Sequence, residues 1–228
     1  MQFKFLLGVL CLALALSGCR ALTANEKNFA SKIYSGQLNA NKIEVYSPGK
    51  SSQDTNDKLK STLAEDYASA KSVESYGLTK SELLERAAVS LRSKPEALVI
   101  HNRIYYKTGS YKADFAEGFP TRVNVDDLDL LAHEIMHVWQ YQNRERTGFS
   151  LLAIAMENIR YRDPYAYTIV PGKRFLSYRF EQQGKMAQDY VRLSYIQPNS
   201  AKLKKLRKLL SEEFDLKIFN ETLMSQAG

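Results

Sequence analysis

The sequence predicts one predominantly helical α+β domain, and three observations favour this fold class. Apolar residues recur at helical spacing in several long segments. One segment rich in β-branched and aromatic residues, Leu98–Tyr106, is typical of a strand. The 228 residues, 44% of them hydrophobic, are enough to bury one sizeable core. Plentiful aromatic residues exclude a disordered chain, and two cysteines are too few for a disulfide scaffold.

The N-terminal segment is expected to be a targeting signal. Lys4 precedes an apolar stretch, Phe5–Leu16, that suits a secretory signal and is short for a transmembrane helix. It ends in Leu16-Ser17-Gly18-Cys19, which resembles the lipobox of bacterial lipoproteins, whose cysteine is lipidated. We therefore expect a signal peptide at 1–18 and one domain at 19–228. The alternative is an ordinary signal peptide in which Cys19 is incidental.

The charge of the chain favours an anionic neighbour. Its 32 Lys and Arg against 25 Asp and Glu give +7, and loss of Lys4 would leave +6. Such an excess suits an anionic membrane or an acidic polymer, and no nucleic-acid motif accompanies it. Because Arg20 rather than Asp follows Cys19, the resemblance to Gram-negative lipoproteins implies the outer membrane, facing the periplasm.

Capping patterns predict where two helices of the first half begin. Thr23-Ala24-Asn25-Glu26 and Thr79-Lys80-Ser81-Glu82 are capping boxes, and the second helix is expected to run to about Ser93. Helical spacing also covers Asp57–Tyr76, whereas the polar stretch Lys50–Asn56 is expected to be a loop.

The expected β-structure precedes the most apolar helix. Lys42–Tyr46 alternates like a strand, and Leu98–Tyr106 is the strongest strand signal. Lys107–Ser110 contains a glycine and predicts a turn, after which Tyr111–Phe115 pairs back as a hairpin. We therefore expect a small hairpin or sheet beside the helices.

The second half is expected to be helical apart from the Tyr-rich connection Pro164–Gly172. Pro198 breaks the pattern, and Ser200 caps the final, basic helix at about 200–214. That helix is expected to pack a leucine stripe on the domain; the alternative is contact with a membrane or the cell wall. The predicted helices are Leu128–Asn143, Phe149–Ile159, Arg174–Tyr195 and Ala201–Phe214.

The strongest functional signal is the sequence His133-Glu134-Ile135-Met136-His137. On a helix, His133 and His137 lie on one face about 6 Å apart along the axis, so both imidazoles can bind one Zn²⁺. Glu134 then lies beside the metal, where it can take a proton from a zinc-bound water. Two of only three histidines in the chain are used here. The alternative is a helix with two histidines that merely pack.

Zinc needs a third protein ligand. Glu181 is favoured because it lies on the long helix after the Tyr-rich connection, 44 residues past His137. His101, Asp163 and Asp189 remain alternatives.

The segments HEIMHVWQYQ and YRFEQQGKMAQDY resemble the zinc-metallopeptidase-like domain of Vgr-related and Rhs-associated secretion proteins of Gram-negative bacteria. That family is itself similar to the core domain of extracellular contractile injection systems. The resemblance implies a zincin-like, gluzincin-type fold with His133, His137 and Glu181 as zinc ligands and Glu134 as base. One departure is Lys185, where many related peptidases have an Asp that orients a ligand histidine. The candidates for that orienting role are Asp126, Asp127 and Asp129.

The expected function is that of a zinc-dependent metallopeptidase-like lipoprotein of the bacterial envelope, with Glu134 as general base. Tyr167 and Tyr190 are candidates for stabilising the oxyanion, with Tyr178 and Tyr195 behind them. The strand that contains His101 is expected to pair with an extended peptide, which would place that histidine near the site.

Two other functions remain open. The same chemistry would serve a peptidoglycan amidase or endopeptidase, which differs only in its substrate. Zinc could instead only stabilise an envelope or secretion-associated binding protein, although such a site has no need of Glu134. The partners expected are thus a peptide, protein or cell-wall peptide, the membrane, and a secretion system.

Overall fold

A small four-stranded sheet and a larger set of helices form the part of the chain that the computed structural model describes, residues 18–34, 36–47, 52–70, 77–93 and 96–225. The strands are β1 Cys19–Ala21, β2 Glu44–Tyr46, β3 Ala97–Ile100 and β4 Arg103–Tyr106. The helices of these residues are α1 Ala24–Tyr34, α2 Ser52–Ser69, α3 Lys80–Arg92, α4 Val125–Gln142, α5 Arg144–Thr147, α6 Leu151–Arg160, α7 Phe180–Ile196, α8 Ala201–Leu210 and α9 Lys217–Met224. The fold class, mostly helical α+β with a small sheet, is confirmed.

The sheet has the strand order β1-β2-β4-β3. β1 and β2 are antiparallel, β2 and β4 are parallel, and β4 and β3 are antiparallel. Side chains of β3 alternate between the two faces, with Val99 opposite Ile104 on one face and Leu98 opposite Tyr105 on the other. β3 forms one edge of the sheet.

The single strand expected at Leu98–Tyr106 is wrong, because the chain turns back at His101 and Asn102 to form the β3–β4 hairpin. His101 adopts a left-handed conformation with φ of 58°. The turn lacks the glycine that usually marks a two-residue hairpin, so the apolar pattern runs on through it. Tyr111–Phe115, expected to pair back, forms no strand.

Two hydrophobic clusters cover the two faces of the sheet. The larger joins β2 and one face of β3 and β4 to α1, α4, α7, α8 and α9. The smaller joins the opposite face of β3 and β4 to α2, α3 and α6, which pack against one another. The helices between residues 52 and 92 therefore form a layer over the sheet.

None of the described helices is long and apolar enough to cross a bilayer.

The capping boxes predicted at Thr23 and Thr79 are both confirmed, since each hydroxyl accepts a bond from the amide three residues later. The loop expected at Lys50–Asn56 is wrong from Ser52 onward, where α2 already begins. Its first turn has no apolar stripe and exposes Gln53 and Asp54, but Gln53 donates to Asp57 at 3.0 Å across one turn. Residues 71–76 of the helix predicted at Asp57–Tyr76 lie outside the described residues.

The last helices differ from their predicted bounds. A 3-10 turn at Phe175–Ser177 and two extended residues precede α7, so this helix begins at Phe180 rather than at Arg174. The predicted basic helix ends at Leu210, and α9 follows it. The cap at Ser200 is confirmed by the bond that its Oγ accepts from the amide of Leu203. The leucine stripe of α8 is buried, as expected of a helix packed on the domain.

Candidate functional site

Helix α4 carries the predicted metal-binding residues into the interior. Its N-cap is Asn124, whose side chain accepts bonds from the amides of Asp126 and Asp127. Every residue from Leu131 to Gln140 is buried, because the helix has the sheet on one side and α7 on another. An enclosed helix thus holds His133 and His137.

The side chains of His133, His137 and Glu181 converge. The Nε2 atoms of the two histidines are 3.1 Å apart, and Oε2 of Glu181 lies 3.3 Å from the first and 3.4 Å from the second. Ligand atoms arranged tetrahedrally at about 2.0–2.1 Å from one zinc ion are about 3.3–3.4 Å apart. The cluster can therefore hold a metal ion, and two imidazoles with one carboxylate are ligands that suit zinc.

The alternative third ligands lie elsewhere. His101 is in the hairpin turn, where its ring stacks on Tyr141 with the centroids 4.4 Å apart. Asp163 lines the same cavity as the cluster, but its Oδ1 accepts the amides of Tyr165 and Ala166. Asp189 pairs with Lys185 and Lys202. None of the three joins the histidines.

Helix α7 brings Glu181 to the cluster through two local features that the sequence analysis missed. The carboxylate of Glu157, on α6, accepts hydrogen bonds from the backbone amides of Phe180 and Glu181, with N···O distances of 2.9 and 3.1 Å. It thereby anchors the first turn of α7. Gly184 faces the ring of His133, and a Cβ there would lie 2.8 Å from its Cε1. The helix can approach the histidine this closely only because residue 184 has no side chain.

The side chain that contacts Nδ1 of His137 is a glutamine rather than an aspartate. His137 Nδ1 lies 2.8 Å from Oε1 of the buried Gln140. The aspartates that the sequence offered for this role pair with cations instead, Asp126 and Asp129 with Arg192 and Asp127 with Lys112. The sequence analysis missed Gln140 because it treated the segment Leu128–Asn143 as one apolar helix and assigned no role to the polar residues after His137.

The tyrosines proposed for the oxyanion are engaged elsewhere. Tyr190 is buried in the core and its hydroxyl donates to Asn220, so the structure does not bring it to the cluster. Tyr167 donates to Asp189 at 2.6 Å and is not among the residues that line the cavity. Tyr178 and Tyr195 bond to the backbone of Val170 and Pro120.

Tyr165 is the tyrosine that faces the cluster, with its ring centroid 5.7 Å from that of His133. Burial, together with the nearby carboxylates of Glu134, Glu96 and Asp163, raises the pKa of its phenol to about 12. It lies in the irregular Tyr-rich connection, where no periodic pattern distinguishes one tyrosine from another.

A cavity of about 330 Å³ opens beside the cluster, between the edge strand β3 and helices α3, α6 and α7. Glu134 lines it next to the three converging residues and is 6% exposed. Its apolar wall consists of Leu91, Ala97, Leu98, Val99, Leu151 and Ile154. Its other polar residues are Glu96, Asp163, Tyr165, Lys185 and Gln188. The cavity thus combines the cluster of His133, His137 and Glu181 with an apolar surface and a strand edge.

Comparisons with known proteins relate the chain to one secretion protein. No family model matches it. It is 40% identical over 65 residues to the type VI secretion system spike protein VgrG2b of Pseudomonas aeruginosa, a match that covers 27% of this chain and only 6% of that protein. Its fold is similar to that of the effector domain of P. aeruginosa VgrG2b, with a TM-score of 0.50 and 19% identity over 87% of this chain and 85% of that one. The predicted resemblance to Vgr-related secretion proteins is thereby confirmed.

Proposed function

We propose that this secretion-related fold carries a zinc-dependent peptidase site. The observation that supports the proposal is the convergence of His133, His137 and Glu181 within 4.8 Å, with Glu134 on the same cavity. A zinc site that only stabilises a fold is usually closed by four protein ligands, whereas a catalytic site leaves one position open. The described residues here offer three ligands and a cavity, which is the catalytic pattern.

Zinc, when bound, would polarise a substrate carbonyl and make a water molecule more acidic. Glu134 follows the first ligand on α4 and faces the cavity, so its carboxylate can accept the proton of the attacking water and pass it to the leaving amine. The phenol of Tyr165 is protonated at physiological pH and can donate to the developing oxyanion. Tyr165 thus takes the role first given to Tyr167 and Tyr190.

The substrate we propose is an extended peptide segment. β3 is an edge of the sheet, and three of its residues line the cavity. An edge strand offers backbone groups to a peptide, while the adjacent leucines and isoleucine can hold an apolar side chain. His101, expected near the substrate, lies in the turn after β3 and stacks on Tyr141, so it has no place in this arrangement.

A panel of substrates tests the proposal against its alternatives. The purified protein is incubated with zinc and either an unfolded protein or isolated peptidoglycan, and products are identified by mass spectrometry. We expect cleavage of the unfolded protein at sites beside apolar residues. Release of cell-wall peptides alone would favour an amidase or endopeptidase. Full zinc occupancy without cleavage of either substrate would favour a binding protein with a structural metal.

We further propose that Cys19 carries a lipid that anchors the protein to the envelope. Cys19 begins β1 and pairs with Tyr46, and the next residue, Arg20, is held by Glu26 at 2.7 and 2.8 Å. The anchor would therefore join the sheet directly, without a linker. Cys19→Ser is expected to shift the protein from the membrane fraction to the soluble fraction and to abolish palmitate labelling. Unchanged fractionation and no label in the parent protein would contradict this.

A further inference from the structure

We infer that Gln140 and Gln183 are positioning residues that hold His137 in the tautomer a metal ion requires. The inference rests on the metal site proposed above and concerns a part of it that is not a ligand. Gln140 is wholly buried, and Gln183 is 1% exposed. Neither lines the cavity, so contact with substrate does not account for them.

The direction of each hydrogen bond follows from groups that can only accept. The amide nitrogen of Gln183 donates to the carbonyl of Tyr178 at 2.7 Å, which leaves its amide oxygen facing Gln140. The amide nitrogen of Gln140 donates to that oxygen at 3.0 Å and to the carbonyl of Phe180 at 3.2 Å. A flipped Gln140 would place its oxygen against these two acceptors, so its nitrogen must point toward them.

The remaining atom of Gln140, its amide oxygen, faces His137. This oxygen is 2.8 Å from Nδ1 and can only accept, so Nδ1 carries the proton. In a neutral imidazole Nε2 then has a free lone pair. That Nε2 is the atom that lies 3.1 Å from His133 and 3.4 Å from Glu181. Two backbone carbonyls therefore determine the histidine atom available to a metal.

The relay also links two ligands that come from different helices. Tyr178 and Phe180, whose carbonyls orient the glutamines, flank the start of α7, and Glu181 follows directly. The segment that supplies Glu181, the proposed third ligand, thus also orients His137, the proposed second ligand. Because an amide is neutral, the relay orients His137 without adding a charge next to the proposed metal.

Zinc affinity of the purified protein, measured by competition with a chromophoric chelator, tests the inference. We expect Gln140→Met to bind zinc about 10–100-fold more weakly, the usual effect of removing a partner of a ligand histidine. Gln183→Met should weaken binding less. The double variant should resemble Gln140→Met, because Gln183 acts through Gln140.

The matched control is Gln142→Met. Gln142 lies on the same helix and donates to Asn102 at 2.8 Å and to Asn39 at 3.2 Å, away from the cluster. Its loss should change the thermal stability of the metal-free protein but leave zinc affinity within about twofold. Equal zinc affinity in Gln140→Met and the parent, or additive losses in the double variant, would overturn the relay.

A second measurement needs no variant. With only three histidines, a ¹⁵N-histidine-labelled parent protein gives few imidazole signals, and long-range proton–nitrogen spectra identify the protonated nitrogen of each. We expect His137 to carry its proton on Nδ1. A proton on Nε2 would overturn the relay even if zinc binds. Absence of zinc binding in the parent would instead defeat the proposed metal site and, with it, this role.

Discussion

Glu134→Gln is expected to bind zinc as tightly as the parent protein and to lose about 10²–10⁴-fold in turnover, the range a positioned general base contributes. The change replaces one carboxylate oxygen with an NH2 group, which gives an amide of nearly the same shape that cannot serve as a base. Glu134 lies outside the cluster of converging ligand atoms, so the metal should stay. Rates are measured on the peptide that the parent cleaves best, with zinc content determined on the same samples.

Glu145→Gln serves as the matched control for that substitution. Glu145 is exposed on α5 and is not among the residues that line the cavity. Its substitution therefore makes the same chemical change outside the proposed site. Its turnover should stay within about twofold of the parent. If Glu134→Gln were as active as the parent, Glu134 could not be the base, and the proposed mechanism would fail while the metal site stood.

The helix that carries the two histidines could be predicted because its apolar residues follow one period from Leu128 to Gln140. Such a helical period can be recognised from the sequence alone, without knowing which elements pack against the helix. Glu181 could be proposed but not established from the sequence, since it lies 44 residues past His137 on another helix and their contact depends on how the two helices pack. The decisive features there are Glu157, which anchors the helix start, and Gly184, which permits the close approach.

The positions of residues in irregular segments could not be predicted from the periodicity of the sequence. Tyr165 and Tyr167 both lie in the Tyr-rich connection, and only the path of the chain places the first at the cluster and the second on Asp189. The turn at His101 was hidden for a similar reason, because apolar residues continue on both sides of it. Gly184 was missed as well, although a glycine inside a helix costs about 1 kcal/mol relative to alanine and so indicates a packing requirement.

Glu181→Ala should abolish the zinc-dependent stabilisation of the protein. Zinc at 100 times the dissociation constant of the parent stabilises it by about 2.7 kcal/mol, or about 5–10 °C in melting temperature for a chain of this size. The variant retains His133 and His137, but two imidazoles alone leave the ion without its only anionic protein ligand within the described cluster. We therefore expect no shift in melting temperature at that zinc concentration, measured by calorimetry with and without zinc.

Loss of a buried acid can also destabilise a fold by itself, so a second buried glutamate provides the control. Glu213 is 7% exposed and pairs with Arg146, away from the cavity lining. Glu213→Ala should lower the melting temperature of the metal-free protein yet keep the full zinc-dependent increase. If Glu181→Ala kept that increase as well, the third ligand would have to be another group. The approach of α7 to His133 would then serve packing rather than metal binding.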